Sequence, residues 1–104
     1  MGDELEDWMQ PHTMTVRALL GSGGMGATFA LAVGRACFAE ESVKLVRDAA
    51  GVEVVSSAQV TTGFEPAVPV GSMVAYWGGR ERRVIAVERH EAPDWPAYQT
   101  LYLE

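Results

Sequence analysis

The chain has 104 residues, of which 48% are hydrophobic and 21% are charged, a composition typical of one globular domain and not of a disordered or collagen-like chain. Eight basic residues against fourteen acidic ones give a net charge of −6, which argues against nucleic-acid binding through an overall positive field. One cysteine and two histidines exclude an intramolecular disulfide framework and a structural zinc site.

Residues 1–12 form a compositional block with four carboxylates and no lysine or arginine. We interpret this block as an exposed N-terminal arm that precedes a single domain over residues 13–104. The acidic start is unlike the basic start of a secretory signal, and the longest apolar stretch is far shorter than the roughly 20 residues of a membrane helix. We therefore expect an intracellular protein without a membrane segment. The arm residues are Asp3, Glu4, Glu6 and Asp7, with Trp8 as the anchor.

The chain after the arm alternates mostly between apolar and polar residues. Residues 13–20 predict the first strand, because Met14, Val16, Ala18 and Leu20 fall on one face.

A second strand is predicted where Phe29, Leu31 and Val33 alternate with small residues. A helix is the alternative for residues 27–48, although Gly34 would cost it about 1 kcal/mol relative to alanine.

Residues 43–62 predict a hairpin. A strand around Leu45 is followed by a turn at residues 48–51, with Gly51 in the left-handed conformation. The return strand covers residues 52–62, and only Val55 breaks its alternation.

A second hairpin is predicted after the proline-bearing loop of residues 63–71. Its arms, residues 72–77 and 83–90, flank Gly78 and Gly79, and two glycines suit the positive φ angles of a type I′ turn. Residues 84–87 are apolar on both faces, which predicts a central position in a sheet.

Two prolines predict a loop over residues 91–98, and residues 99–104 form the last strand, with Leu101 and Leu103 on one face. Several short strands joined by glycine and proline turns indicate a mainly β fold. We predict a small antiparallel β-barrel, or a sandwich, with long loops.

Residues 21–26 match the G-x-G-x-x-G fingerprint of dinucleotide-binding proteins. That fingerprint needs a buried parallel strand before it and a helix after it. Because the preceding strand has a polar face, a flexible loop between strands is the favoured interpretation, and nucleotide binding is the alternative. The glycines are Gly21, Gly23, Gly24 and Gly26.

The sequence predicts no catalytic residue, metal ligand or cofactor site. No nucleophile elbow is present, since Leu20 occupies the position of its first glycine. His90 and Asp94 are interpreted as solvated surface groups, and Cys37 as a small core residue.

Arginines and large aromatic residues concentrate near the second hairpin. The arginines are either solvated or bind phosphates or an acidic protein neighbour. The aromatic residues are either anchors for loops or hot spots of a subunit interface. The candidate interface residues are Trp77, Arg80, Arg82, Trp95 and Tyr98.

Several segments in the second half of the chain together resemble a known family. They are the hairpin over residues 46–58, the spacer V-P-V-G-S over 68–72, the strand R-V-I-A-V-E-R-H over 83–90, the motif A-P-D-W-P over 92–96 and the ending L-Y-L-E. In order and spacing they resemble the small head-to-tail connector proteins of long-tailed bacteriophages of actinobacteria, of the stopper or head-closure type. The resemblance covers roughly residues 43–104.

The resemblance implies a β-barrel subunit without enzymatic activity, located in the virion at the head–tail junction. Copies of it, six by expectation, form a ring between the portal or adaptor proteins and the tail proteins. The ring joins head to tail and helps to retain DNA, which passes through the channel without sequence-specific binding. A tail terminator or another head–tail joining subunit is the alternative within this class.

Two hypotheses follow for segments that the resemblance does not cover. The glycine-rich loop projects toward the channel or toward a neighbour in the ring, and the acidic arm docks on a basic partner surface. Outside this class, the alternatives are a nucleotide-binding protein that uses residues 21–26 and a monomeric adaptor that binds a peptide through Trp77, Trp95 and Tyr98.

Overall fold

The computed structural model describes residues 9–24 and 26–104, and the predicted anchor and carboxylates of the arm lie outside these ranges. The described residues form strands and connecting turns and contain no α-helix. Among them there is no helical segment of the length and hydropathy that a membrane span requires. The ten strands are β1 (His12–Arg17), β2 (Leu19–Gly23), β3 (Gly26–Phe29), β4 (Val33–Glu40), β5 (Lys44–Arg47), β6 (Glu53–Ser56), β7 (Ala58–Gly63), β8 (Met73–Tyr76), β9 (Arg82–Ala92) and β10 (Trp95–Leu103).

Six of these strands close into an antiparallel barrel in the order β1-β4-β7-β10-β9-β8. The predicted small β-barrel is therefore confirmed. The other four strands form two separate two-stranded ribbons, β2–β3 and β5–β6. The first ribbon is inserted between β1 and β4, and the second between β4 and β7. The longest dimension of the molecule is 43 Å, against 29 and 24 Å for the other two.

The alternating strand directions divide the connections between the two ends of the barrel. One end, which we call the upper end, carries the β2–β3 ribbon, the loop after β7 and the β9–β10 turn. The opposite, lower end carries the entry to β1, the β5–β6 ribbon, the β8–β9 turn and the end of the chain. We refer to the two ribbons as the upper ribbon and the lower ribbon.

The barrel interior is filled by small and medium-sized apolar side chains that alternate along the strands. Leu101 and Leu103 are fully buried on one face of β10, as predicted. Cys37 is also fully buried, as its interpretation as a core residue requires. The core cluster consists of Met14, Val16, Cys37, Ala39, Ala58, Val60, Val68, Val74, Tyr76, Val84, Leu101 and Leu103.

A buried polar clamp fixes the loop after β7 to the barrel. The side-chain amide of Gln99, which has no solvent exposure, donates to the carbonyl oxygens of Gly63 and Pro66, both at 2.9 Å, and accepts from the amide of Val68 at 3.1 Å. Arg35 donates to the same two carbonyl oxygens, at 3.0 and 2.7 Å. Partial burial lowers the pKa of Arg35. The clamp holds a long loop that lacks strand partners of its own.

Two predicted strands prove to be interrupted. The first ends at Arg17, and Leu20 leaves the barrel on β2 with its side chain largely exposed. The return strand of residues 52–62 breaks at Ser57, where β6 departs into the lower ribbon. At this break the Ser57 amide donates to the carbonyl of Leu103, so pairing with the distant strand β10 ends the local alternation.

The segment of residues 27–48 contains β3, β4 and β5, so the helical alternative is wrong. The predicted strand through Phe29, Leu31 and Val33 is also wrong as a continuous element. It is interrupted between β3 and β4, and Leu31 lies exposed in this gap.

The two predicted turns have different outcomes. Gly51 has φ +82°, and the carboxylate of Asp48 accepts from two amides of the turn, as the predicted hairpin requires. The β8–β9 turn is centred on Trp77 and Gly78, not on Gly78 and Gly79. Trp77 has φ +53° and Gly78 has φ +68°, and the amide of Gly79 donates to the carbonyl of Tyr76 at 2.9 Å.

The loop predicted over residues 91–98 is instead the tip of a long hairpin. β9 runs to Ala92, β10 starts at Trp95, and the two residues are paired. Pro96 is accommodated because the register shifts between Trp95 and Tyr98, and an irregularity of this kind is a place where a strand tolerates proline. β9 lies between β8 and β10, although its pairing with β8 is confined to its first two residues.

Candidate interaction surfaces

A cleft of about 180 Å³ lies at the lower end, beneath the β8–β9 turn. Its residues come from the connection after β4, from the end of β8, from the turn itself and from the start of β9. Glu41 is the central acid of the cleft, because its carboxylate accepts from the Tyr76 hydroxyl at 2.7 Å and lies 3.5 Å from Arg82. Burial, followed by the hydrogen bond to Glu41, raises the pKa of Tyr76. The lining residues are Glu41, Tyr76, Trp77, Gly79, Arg80 and Arg82.

Trp77 forms the outer wall of this cleft. Its ring packs edge-on against Tyr76 at 5.1 Å and against His12 at 5.6 Å between centroids, and 54% of the residue remains exposed. A bulky residue at positive φ is strained, and such residues concentrate at functional sites. The tight turn therefore presents an indole to solvent at the cost of backbone strain.

The arginines around the second hairpin have separate partners. Arg82 donates to the Ser57 hydroxyl at 2.8 Å as well as pairing with Glu41. Arg83 pairs with Glu104 at 3.0 Å, and Arg89 pairs with Glu65 at 2.8 Å. Arg80 forms no ion pair within the described part of the chain. Three of the four arginines therefore serve internal contacts, whereas Arg80 makes no such ion pair with the described residues.

A second cleft, of about 380 Å³, lies at the upper end beside the tip of the β9–β10 hairpin. Tyr98 stacks on His90 with centroids 4.6 Å apart, and Trp95 is 61% exposed. His90 also lies 4.0 Å from Glu88. The remaining walls are provided by Arg89, Glu91, Ala92 and Pro96.

The predicted interface residues thus form two surfaces and not one. Trp77, Arg80 and Arg82 lie at the lower end, while Trp95 and Tyr98 lie at the upper end. The two groups are separated by the eleven-residue strand β9, which spans roughly 30 Å at 3.3 Å per residue. A single peptide could not contact both surfaces without crossing the barrel.

The glycine-rich segment forms the tip of the upper ribbon. Gly21 and Gly23 belong to β2, and Gly26, at φ +96°, begins β3. A methyl group added at Gly21, Gly23, Gly24 or Gly26 would meet no atom within 4 Å among the described residues. The segment is followed by a strand, so the helix that the dinucleotide fingerprint requires is not formed there.

Both ribbons carry large apolar side chains that face solvent. On the lower ribbon Leu45 lies directly opposite Val55, and both are more than half exposed, as is the neighbouring Val43. On the upper side, Leu20 and Leu31 are more than two thirds exposed. An exposed apolar pair such as Leu45 and Val55 is typical of a surface that binds other proteins.

The chemistry available in the described residues is limited. They contain no group of three or more histidine, cysteine or acidic side chains that could hold a metal ion. Burial raises the pKa of the Cys37 thiol to about 11, so at neutral pH this group is protonated and poorly nucleophilic.

The sequence did not single out Glu41 and Tyr76 of the lower cleft, nor His12, which packs against its Trp77 wall. They come from three distant segments, and no local spacing relates them. The inward position of Gln99 could have been predicted from the sequence, because residues 99, 101 and 103 alternate along β10 and therefore lie on the same face as the buried Leu101 and Leu103.

Comparison with known proteins gives no relative: no protein-family model matches the chain, and no curated protein or solved structure matches it significantly.

Proposed function

We propose that the chain is a structural subunit of the head-to-tail connector of a long-tailed bacteriophage. It forms a ring, of six copies by expectation, between the portal or adaptor proteins and the tail proteins. The stopper role is the first choice within this class, and tail terminator or another joining subunit is the alternative. The class is chosen on the sequence resemblance of residues 43–104.

The observation that carries the proposal is the distribution of exposed apolar and aromatic side chains over both ends of the barrel. Trp77 and the face of Leu45 and Val55 are available at the lower end, while Trp95 and Leu20 are available at the upper end. A subunit with neighbours above, below and beside it needs several such surfaces. A monomeric adaptor for one peptide needs only one.

The size of the subunit is compatible with ring contacts. A stable interface buries about 800 Å² of each partner, which is roughly one eighth of the 6473 Å² surface of this chain. Two lateral contacts of this size would cover about a quarter of the surface and leave both ends for stacking. In a ring each subunit uses two different surfaces, so the contact is heterologous and closes by rotation.

The mechanism is mechanical and requires no bond-making step. Binding energy is distributed over the contacts of the ring, and the glycine-bearing tip of the upper ribbon projects toward the channel or toward a neighbouring subunit. The net charge of −6 disfavours adhesion of DNA phosphates to the ring. DNA can then pass without sequence-specific binding.

The direct test is to label bacteriophage particles that carry this protein with a specific antibody and to delete its gene. We expect label at the head–tail junction in virions, and accumulation of separate heads and tails after deletion. Label elsewhere on the particle, or normal joining without the gene, would refute the proposal.

A matched pair of variants tests the apolar surface. Leu45→Asp places a charge on the exposed face of the lower ribbon, and Lys44→Glu changes a charge on the opposite face. We expect Leu45→Asp to reduce assembly of joined particles at least tenfold while the purified chain remains folded, and Lys44→Glu to assemble normally. Equal assembly of both variants would remove this face from the interface.

A further inference from the structure

The lower cleft combines an exposed aromatic wall with an arginine that has no ion-pair partner among the described residues. The carboxylate of Glu41 accepts from Tyr76 and pairs with Arg82, and among the described residues no ion pair joins it to Arg80. Trp77 supplies an apolar surface next to this cation, held there by its positive-φ turn and by contacts with His12 and Tyr76. The chemistry of the cleft suits an acidic segment that also contains apolar side chains.

The chain itself contains a segment of this kind. Residues 3–8 read D-E-L-E-D-W, with four carboxylates, one leucine and one tryptophan. The charge of this segment is complementary to that of the cleft. Acidic groups of the arm would pair with Arg80, and its apolar side chains would cover Trp77.

The place where the arm joins the barrel favours a neighbouring copy as its acceptor. β1 begins at His12 at the lower end, and the His12 ring packs against Trp77 of its own subunit. Residues 3–7 would therefore have to fold back over residues 8–11 to enter the cleft of their own subunit. Residues 3–7 are five to nine residues before His12, so they can reach at most roughly 16–32 Å from it. This reach corresponds to the 24–29 Å width of the subunit, which is the spacing expected between adjacent copies.

We propose that the acidic arm, residues 3–7, of one subunit binds the Trp77–Arg80 cleft of the next copy in the ring. This proposal rests on the proposed function, because the ring is what places the copies side by side. The contact is heterologous: each subunit donates one arm and accepts one arm. A series of such contacts links the ring in addition to the contacts between barrel surfaces.

The first test measures binding of a labelled synthetic peptide of residues 1–11 to the full-length chain by fluorescence anisotropy. The chain carries Glu4→Lys and Glu6→Lys, so that its own arm does not compete. We expect saturable binding that weakens with added salt and weakens at least tenfold when Arg80→Glu is added. Lys44→Glu, which reverses a charge outside the cleft, should leave binding unchanged. Absence of saturable binding, or equal binding to the Arg80→Glu chain, would overturn the proposal.

The second test identifies which copy accepts the arm. In a full-length chain with Lys44→Arg and Arg80→Lys, position 80 is the only lysine, and a carbodiimide can couple it to a carboxylate. We expect cross-linked dimers and larger species, with mass spectrometry joining position 80 to residues 3–7. Cross-links confined to single chains, or their absence, would refute exchange between copies.

The two proposals fail separately. If the peptide does not bind but antibody labels the head–tail junction, the arm contact is wrong and the connector function stands. If peptide and cross-link behave as expected but the protein is not part of the junction, the chain is an arm-exchanging oligomer with another function.

Discussion

Replacing Gln99 by leucine should lower the free energy of unfolding by about 2–4 kcal/mol. Leucine has a similar volume, so the main loss is that of the hydrogen bonds made by the Gln99 side chain. The buried amide of Val68 loses its acceptor, the side-chain oxygen of Gln99, and an unsatisfied buried donor costs about 1–3 kcal/mol. The carbonyl oxygens of Gly63 and Pro66 lose one donor each but keep Arg35, which adds about 1 kcal/mol.

Gln99 and Arg35 donate to the same two carbonyl oxygens, so the costs of substituting them should not simply add. Arg35→Met alone should cost about 1–2 kcal/mol, because Gln99 still satisfies both carbonyl oxygens. In the double variant these oxygens lose both the Gln99 and the Arg35 donor, so the combined cost should exceed the sum of the single costs by about 1 kcal/mol.

Urea unfolding followed by tryptophan fluorescence and circular dichroism measures these differences. Thr100→Val is the control, since its hydroxyl makes only a long contact, 3.5 Å, with Thr61; its cost should stay below about 1 kcal/mol. A Gln99→Leu variant within about 0.5 kcal/mol of the parent chain, or single costs that simply add, would refute the clamp.

Three further predictions concern single sites. Gly71→Ala should lower the free energy of unfolding in urea by about 1–3 kcal/mol, because Gly71 has φ +95° and an added Cβ would lie 2.9 Å from Leu19. Gly63→Ala, where an added Cβ has open space, should lower it less, and equal effects of the two substitutions would contradict this account. Cys37, buried and with a pKa of about 11, should react with a thiol reagent at pH 8 only after unfolding, and rapid reaction in the native chain would contradict its burial. Burial and a hydrogen bond to Glu88 raise the pKa of Tyr102 to about 12. The stabilisation of the folded state by Tyr102 is therefore complete below the unfolded pKa of about 10 and is lost between pH 10 and 12. Tyr102→Phe should reduce the loss of stability over that interval by about 1–2 kcal/mol, and an unchanged pH profile of stability would exclude this contribution.

The candidate surfaces were only partly predictable from the sequence. Large aromatic residues in turns and an unusual number of arginines indicated contact surfaces, and the structure does expose Trp77 and Trp95. Their separation to opposite ends of the barrel follows from β9, which joins the turn at Trp77 to the hairpin tip at Trp95. The internal pairing of Arg82 with Glu41 likewise joins segments about forty residues apart in sequence.

The amino-acid sequence by itself determined the β character of the chain and the positions of its main inward-facing residues. Alternation at Met14 and Val16, and again at Leu101 and Leu103, placed side chains that are in fact buried. The turn at Asp48 to Gly51 was also determined locally, because the side chain and the glycine both act within four residues.

Only the tertiary structure decided where strands end and which of them close the barrel. The alternation continues through Ser57 without a signal, yet pairing of the Ser57 amide with Leu103 separates the barrel strand from the lower ribbon. The β9–β10 hairpin extends through Pro96 because a register shift accommodates the proline. At Ser57 a hydrogen bond to a residue distant in sequence outweighs the local preference, and at Pro96 the pairing of β9 with β10 does so, since backbone groups in a closed barrel need partners on the neighbouring strands.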